Sequence, residues 1–255
     1  NGDYFFNNTF AENQAFIGYG TQIENLIGSK HNDVLTGNKA DNAIYGGAGD
    51  DKINGDDGDD WLDGGAGNDV LAGGKGNDTY IVGETGDQVV GEAAKGGNDH
   101  VYSSVDYTLG NHLENLTLLG AALKGTGNAL NNQLTGNNLD NTLNGGAGND
   151  VLKGGGGKDV LTGGTGNDQF VFSSLLDGAV DEITDFKAGE DKIVLSRNVF
   201  TALRSESDIA NHIRYDSAGG VLSYDADGAG NGAAMAFAKV KGLDEDLSAN
   251  ILLVA

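Results

Sequence analysis

Cysteine is absent from the 255 residues, so disulfides, zinc-thiolate sites and thiol chemistry are excluded, and redox state says nothing of compartment. No apolar stretch reaches 18 residues, which removes a membrane-spanning helix. Basic residues are scarce: 15 Lys and Arg stand against 38 Asp and Glu, and the formal net charge of -23 repels nucleic acid phosphates and anionic lipid headgroups alike. Nucleic acid and membrane insertion are set aside as partners. Hydrophobic residues make up only 38% of the chain while 44 residues are glycine, so one large globular core is not expected. The chain opens NGDYFFNNTF, with no initiator Met, basic n-region or apolar h-region, and reads as a fragment of something longer.

What is present is acid beside glycine and asparagine, spread through the chain as in GGAGDD, GDDGDD and GGAGND. That is turn composition with hard oxygen ligands, and it points to cations. A hydrophobic residue returns on a fixed beat, which separates the chain from a disordered acidic one. From Gly28 to Ile81 six nonapeptides follow without insertion: GSKHNDVLT, GNKADNAIY, GGAGDDKIN, GDDGDDWLD, GGAGNDVLA and GGKGNDTYI. A second block from Gly127 to Val171 reads GNALNNQLT, GNNLDNTLN, GGAGNDVLK, GGGGKDVLT and GGTGNDQFV. The eighth position holds Leu35, Ile44, Ile53, Leu62, Leu71 and Tyr80, then Leu134, Leu143, Leu152, Leu161 and Phe170. Each unit is read as a six-residue turn and a three-residue strand whose middle side chain points inward. Two units close a coil of about 18 residues, and coils stack as parallel strands about 4.8 Å apart. The expected fold is all-β: a parallel β-roll in two repeat blocks with a C-terminal β-strand cap.

The chemistry is expected in the turns. Glycines at positions one, two and four are read as permitting backbone angles closed to other residues, and Asp at position six adds a carboxylate. In the first block the candidate metal-binding residues are Asp33; Gly46, Gly47, Ala48, Gly49 and Asp51; Gly55, Asp57, Gly58 and Asp60; Gly64, Gly65, Ala66, Gly67 and Asp69; and Gly73, Gly74, Gly76 and Asp78. In the second they are Gly145, Gly146, Ala147, Gly148 and Asp150; Gly154, Gly155, Gly157 and Asp159; and Gly163, Gly164, Gly166 and Asp168. One turn offers too few oxygens for calcium, so sites are expected between turns 46–51 and 64–69, 55–60 and 73–78, and 145–150 and 163–168, for roughly five to eight ions in all. Magnesium fits this oxygen set poorly, because it demands near-octahedral geometry and dehydrates reluctantly. Units with Asn at position six and no second glycine (GNKADNAIY, GNALNNQLT, GNNLDNTLN) are read as calcium-poor adaptors.

Around the blocks the beat is expected to lapse. Residues 1–27 are read as N-terminal junction strands, 28–81 and 127–171 as the two roll blocks, and 82–126 as irregular connecting coils, where Gly97, Asn98 and Asp99 offer one extra calcium turn although Asp99 stands out of phase. In 172–255, DEITDF and DKIVLS are expected as alternating strands joined by KAGE, and VLSYDAD and AMAFAKV as a hairpin across GAGNG. Asp225, Asp227 and Gly228 are read as a plain hairpin turn, since no glutamate follows at the twelfth position of a calcium loop.

The repeats resemble those of the RTX (repeats-in-toxin) family of calcium-binding proteins exported by type I secretion. The stretch FIGYGTQIENLIGSKHNDVLTGN, the rolls, then DQFVFSS and DEITDFKAGEDKIVLS look most like the C-terminal half of serralysin-type metalloproteases. The resemblance implies a secreted bacterial protein, an uncleaved secretion signal within residues 246–255, the type I secretion machinery as a partner, and a monomer. The HExxH motif of those proteases is absent; His31, His100, His112 and His212 stand far apart and are read as surface residues, and no GxSxG motif accompanies Ser217. No catalytic residue is assigned. Two functions compete: a module that folds on calcium after export and stabilises an attached enzyme, and a module that binds polysaccharide or a cell surface, as in an alginate epimerase, a lipase tail, or an adhesin or surface-layer terminus. Outward positions such as Val34, Thr36, Tyr45 and Trp61 form no Thr ladder or aromatic row, which weighs against the second.

Overall fold

The computed structural model describes residues 24–92, 94, 96–228, 232–244 and 246–255. Of the expected junction strands only Asn25–Ile27 falls among these; the rest of that segment, and residues 229–231 of the GAGNG turn, lie outside the described residues. Two compact units divide the chain, Asn1–Gly120 and Ala121–Ala255.

In the first unit, Asn25–Ile27, Ala43–Ala48, Trp61–Ala66, Thr79–Val82, His100–Ser103 and Asn115–Leu118 lie side by side in one sheet. Val34–Thr36, Lys52–Asp57, Val70–Lys75 and Gln88–Val89 form another. Alternate nonapeptides therefore go to opposite sheets. Neighbouring strands are parallel and one coil apart: Leu26 pairs with Ile44, Ile44 with Leu62 and Leu62 with Tyr80, while Leu35, Ile53, Leu71 and Val89 make the facing column. Side-chain alternation puts the eighth position inside, where Leu35, Ile44, Ile53, Leu62, Leu71 and Tyr80 are between 0% and 3% exposed. This is a parallel β-solenoid with one apolar side chain per nonapeptide in its core.

The second unit repeats the scheme. Leu134, Leu152, Phe170, Ile193 and Ile251 stack in one sheet, and Leu143, Leu161, Ile183 and Val240 in the other. Asp181–Ile183 and Lys192–Ser196, from DEITDF and DKIVLS, join opposite sheets in parallel and so continue the coil. The hairpin forms as read: Val221–Tyr224 runs antiparallel to Met235–Val240, and Ile213–Asp216 adds a further antiparallel strand. Phe172, Phe200, Tyr224 and Phe237 pack edge to face, with ring centroids 5.1 Å apart in each contact, giving this end an aromatic cluster.

Two details differ from expectation. Strands such as Ala43–Ala48 and Thr142–Ala147 run six residues, because ladder pairing continues through the first half of the turn, with Gly47 beside Gly65 and Gly146 beside Gly164. The nine-residue beat also survives one unit past Ile81. In VGETGDQVV, Asp87 and Val89 occupy positions six and eight, and Val89 pairs with Leu71.

Candidate metal centre

The parallel register sets the turns of successive coils edge to edge. Turns 46–51 and 64–69 meet through the pairs Gly47/Gly65 and Ala48/Ala66, turns 55–60 and 73–78 through Asp56/Gly74 and Asp57/Lys75, and turns 145–150 and 163–168 through Gly146/Gly164 and Ala147/Thr165. All three expected turn pairs are brought together.

Within them the position-six carboxylates are buried and half-satisfied. The Oδ1 of each accepts the main-chain N–H of position six one coil earlier: Asp51 from Asp33 at 2.7 Å, Asp69 from Asp51 at 2.7 Å, Asp60 from Asn42 at 2.7 Å, Asp78 from Asp60 at 2.8 Å, Asp150 from Asn132 at 2.7 Å, Asp168 from Asp150 at 2.9 Å and Asp159 from Asn141 at 2.8 Å. This ladder fixes each carboxylate in place. The Oδ2 atoms of Asp51, Asp60, Asp69, Asp78, Asp150 and Asp159 are buried without a hydrogen-bond partner. A buried anionic oxygen with no donor is costly, and a cation removes that cost. Burial pushes the carboxyl groups of Asp51, Asp60 and Asp150 up to about 6 and those of Asp78 and Asp159 up to about 7; neighbouring carboxylates add to the rise for Asp51, Asp60, Asp78, Asp150 and Asp159. Asp69 and Asp168 move the same way, again chiefly through burial. The donor set is all oxygen, preplaced and electron-rich, which fits calcium.

The glycines divide the work differently from the expected scheme. Those at positions two and four adopt left-handed angles, as at Gly65 (φ 90°) and Gly67 (φ 138°), whereas position one does not. Position one is glycine for space: a Cβ on Gly46 would run into Asp51 Oδ2 and the Gly64 carbonyl, and one on Gly145 into Asp150 Oδ2. Gly55, Gly64, Gly73, Gly154 and Gly163 are likewise buried against the Oδ2 of the Asp five residues on. At position two of GDDGDD stands Asp56, which takes φ 87° without being glycine.

Two candidates stand apart from this set. Asp33 Oδ2 accepts the N–H of Ser29 at 2.6 Å, so a turn amide already occupies the oxygen that is free elsewhere. The Asp57 side chain points outward to Lys75 at 2.7 Å and Lys39 at 3.6 Å, which hold its carboxyl below the usual range, so only its main chain remains for the turn. In the Asn units the side-chain carbonyl closes its own turn: Asn42 accepts from Asn38 at 2.8 Å, Asn132 from Asn128 at 2.7 Å and Asn141 from Asn137 at 2.7 Å.

The sequence reading missed three features. Position five carries a second, exposed ladder running the opposite way: Asp50 N–H donates to Asn32, Asn68 to Asp50, Asn77 to Asp59 and Asn167 to Asn149, at 2.9, 2.9, 2.7 and 2.8 Å. Its signal was the unbroken Asn/Asp column at that position, interrupted only by Lys158. Asp185, outside any repeat, takes the N–H groups of Gly163 at 3.0 Å and Gly164 at 2.8 Å. Glu92 does the same for Gly73 at 3.3 Å. On the outer face, Trp61 stacks with Tyr102 at 6.4 Å between centroids and Tyr102 with His100 at 4.2 Å, so a short aromatic row does exist. It escaped notice because Tyr102 lies beyond the end of the regular beat. His100 is half-buried in this stack and bonded to Thr117, and His212 is half-buried against the Asp225 carbonyl, so neither is a free surface residue. Asp225 pairs with Arg214, and Asp227 accepts the N–H of Gly232 at 2.9 Å, which closes the hairpin turn as read.

The profile of the RTX calcium-binding nonapeptide repeat (four copies) matches residues 20–53, 27–62, 45–80, 54–89 and 135–170. These are RTX calcium-binding repeats. The RTX match reaches residue 89 and so includes the unit around Asp87. No curated protein matches the chain. Among solved structures the chain is similar to the extracellular lipase LipA from Serratia marcescens, at 20% identity and a TM-score of 0.22 over 92% of this chain. It spans 40% of the length of that lipase. Among the described residues no helix is long and apolar enough to cross a membrane.

Proposed function

We propose that this chain is a calcium-driven folding module of a secreted protein, itself without catalytic residues, which becomes ordered when calcium fills the paired turns after export. The observation that carries this reading is the row of buried, partnerless Oδ2 atoms at Asp51, Asp60, Asp69, Asp78, Asp150 and Asp159. Without a cation these carboxylates repel one another across each coil and sit desolvated; with one, each ion bridges two coils. Residues that would hold it are the position-six carboxylates with main-chain carbonyls of the glycine turns. Calcium supplies positive charge and several oxygen-seeking coordination positions, and this chain's ladder of main-chain N–H groups keeps the carboxylates aimed. Binding to the folded state alone makes metal affinity into folding stability. At affinities of roughly 0.1 to 1 mM, usual for extracellular modules, the chain stays open in calcium-poor cytosol and closes outside. The attached domain would then be an extracellular enzyme such as a serralysin-type metalloprotease.

A calcium titration of chelator-treated protein tests this, read by far-ultraviolet circular dichroism and by the fluorescence of Trp61, which follows Asp60 directly. The expected outcome is a cooperative gain of β signal that magnesium does not reproduce. Full β structure in chelator would overturn the switch. The stacked Trp61, Tyr102 and His100 favour a second reading, a carbohydrate platform on the first unit, because the exposed Trp61 ring, continued by the half-buried Tyr102 and His100, offers stacking surface. Calcium-retained binding on a glycan array, lost in Trp61→Ala, would support it.

A further inference from the structure

We propose that Asp78, the last position-six carboxylate of the first block, joins Glu92 and Asp99, which lie beyond the nonapeptide blocks, in a cation site that holds a calcium-sized hard divalent ion. The proposal deepens the calcium reading above and rests on it for the choice of ion. The site arises where the beat breaks. Every earlier coil of the first unit advances by eighteen residues, but Asp78 N–H donates to Asp99 Oδ1 at 2.8 Å across an interval of twenty-one. The three extra residues lengthen the turn after Val90, restore Asp99 to the role of position six, and bring Glu92 over the turn that begins at Gly73.

Each of the three carboxylates is pinned by one oxygen and free at the other. Asp78 Oδ1 takes the Asp60 N–H at 2.8 Å, Asp99 Oδ1 takes that of Asp78, and Glu92 Oε1 takes the Tyr80 hydroxyl and the Gly73 N–H. Asp78 Oδ2, Asp99 Oδ2 and Glu92 Oε2 are all buried without a hydrogen-bond partner, and Asp78 and Asp99 are 1% and 0% exposed. One ligand oxygen from each lies within 4.8 Å of the other two. Among the described residues no Lys, Arg or His forms an ion pair with any of them. Three carboxylates so placed, with donors on their outer oxygens only, need a cation at the centre. Oxygen-only ligation selects a hard ion, and the larger, less geometrically demanding calcium over magnesium. A repeat site between two turns has two position-six carboxylates; this site has three, and affinity in such sites rises with ligand charge. It therefore binds its ion more tightly than the repeats, by about tenfold or more.

The test counts ions. Calcium bound by the full chain is measured by native mass spectrometry and titration calorimetry for the wild type and Glu92→Gln, with circular dichroism in saturating calcium as the folding control. Gln at this position still accepts from Tyr80 while losing the anion. One ion fewer, with loss of the tightest phase, is the expected result. An unchanged count with only a lowered melting temperature would overturn the site and leave Glu92 a structural partner of Tyr80. Should the variant fail to fold, anomalous scattering from wild-type crystals grown with terbium decides the matter. A peak among Asp78, Glu92 and Asp99 supports the site, and peaks in the repeat turns alone overturn it. No ion anywhere would bring down the calcium reading of the repeats, and this site with it.

Discussion

Turns 136–141 and 145–150 share one solenoid, one chain direction and nearly one backbone path, yet they settle the same position-six side chain in opposite ways. Asn141 spends its carbonyl on the Asn137 N–H of its own turn and gives its amide to the Ala122 carbonyl, so the turn is complete as it stands. Asp150 gives Oδ1 to the coil before it and leaves Oδ2 buried and unmatched. The pairing residue at position two explains the contrast. Asn137 presents its N–H to the side chain, whereas the same position in the other turn is Gly146, at the left-handed φ of 103°. A single choice of side chain, coupled to a single glycine, thus separates a self-sufficient coil from one that requires an ion.

The sharpest way to break this contrast is to remove calcium. As chelator is raised, hydrogen exchange should strip protection first from turns 46–51, 64–69, 145–150 and 154–159 and last from turns 127–132 and 136–141. Simultaneous loss everywhere at the lowest chelator concentration would show that the Asn turns have no stability of their own. A smaller effect is expected from exchanging one oxygen. Asp150→Asn keeps the acceptor for the Asn132 N–H but removes the anion, so calcium affinity in the second unit should fall by about tenfold, which is about 1.4 kcal/mol. Calorimetry reads it directly, and unchanged affinity would mean that main-chain carbonyls alone hold the ion.

The columns at positions six and eight were legible in the sequence because both are set by repetition. A residue recurring every nine places in a coil of eighteen must stack on its own kind, whether Leu62 on Ile44 or Asp69 on Asp51. Residues that act once were not legible. Glu92 and Asp185 cap the final turn of each block from outside the repeat, and nothing in their local sequence distinguishes them from other surface acids. The role of the first glycine was misread for a related reason. Composition shows that a glycine is needed, while only the structure shows whether angle or space demands it.

Acidity offers a third, gentler probe. In the metal-free fold Asp78 and Asp159 titrate near 7 and Asp51, Asp60 and Asp150 near 6, against roughly 3.9 for an unfolded Asp. Between about pH 4 and pH 7 the folded state therefore binds more protons than the unfolded one, so stability falls as pH rises through that window. Chelated protein should therefore gain β structure as the pH is lowered from 8 to 5. Calcium needs the ionised carboxylates, so calcium affinity should run the other way and weaken as pH falls below about 7. Two series against pH, one with chelator and one with saturating calcium, should converge as pH falls towards 5; a constant gap would show that these groups are not the ones that bind.

The smallest effect is expected at Asp56, where the first block breaks its own rule. This residue holds φ 87° at a position filled by glycine in the neighbouring turns, such as Gly65 and Gly74. A non-glycine side chain pays about 1 to 2 kcal/mol for left-handed angles, while a glycine there loses about 0.4 to 1 kcal/mol through greater freedom when unfolded. Asp56→Gly should therefore stabilise the calcium-loaded protein by about 1 kcal/mol or less, and chemical denaturation in saturating calcium is sensitive enough to resolve it. The same variant removes one negative charge beside Asp60, whose carboxyl is pushed up partly by Asp56. At limiting calcium the gain should consequently exceed that at saturation, because relief of repulsion adds to relief of strain only where no ion is present to absorb the charge. Equal gains in both conditions would assign the whole effect to the backbone.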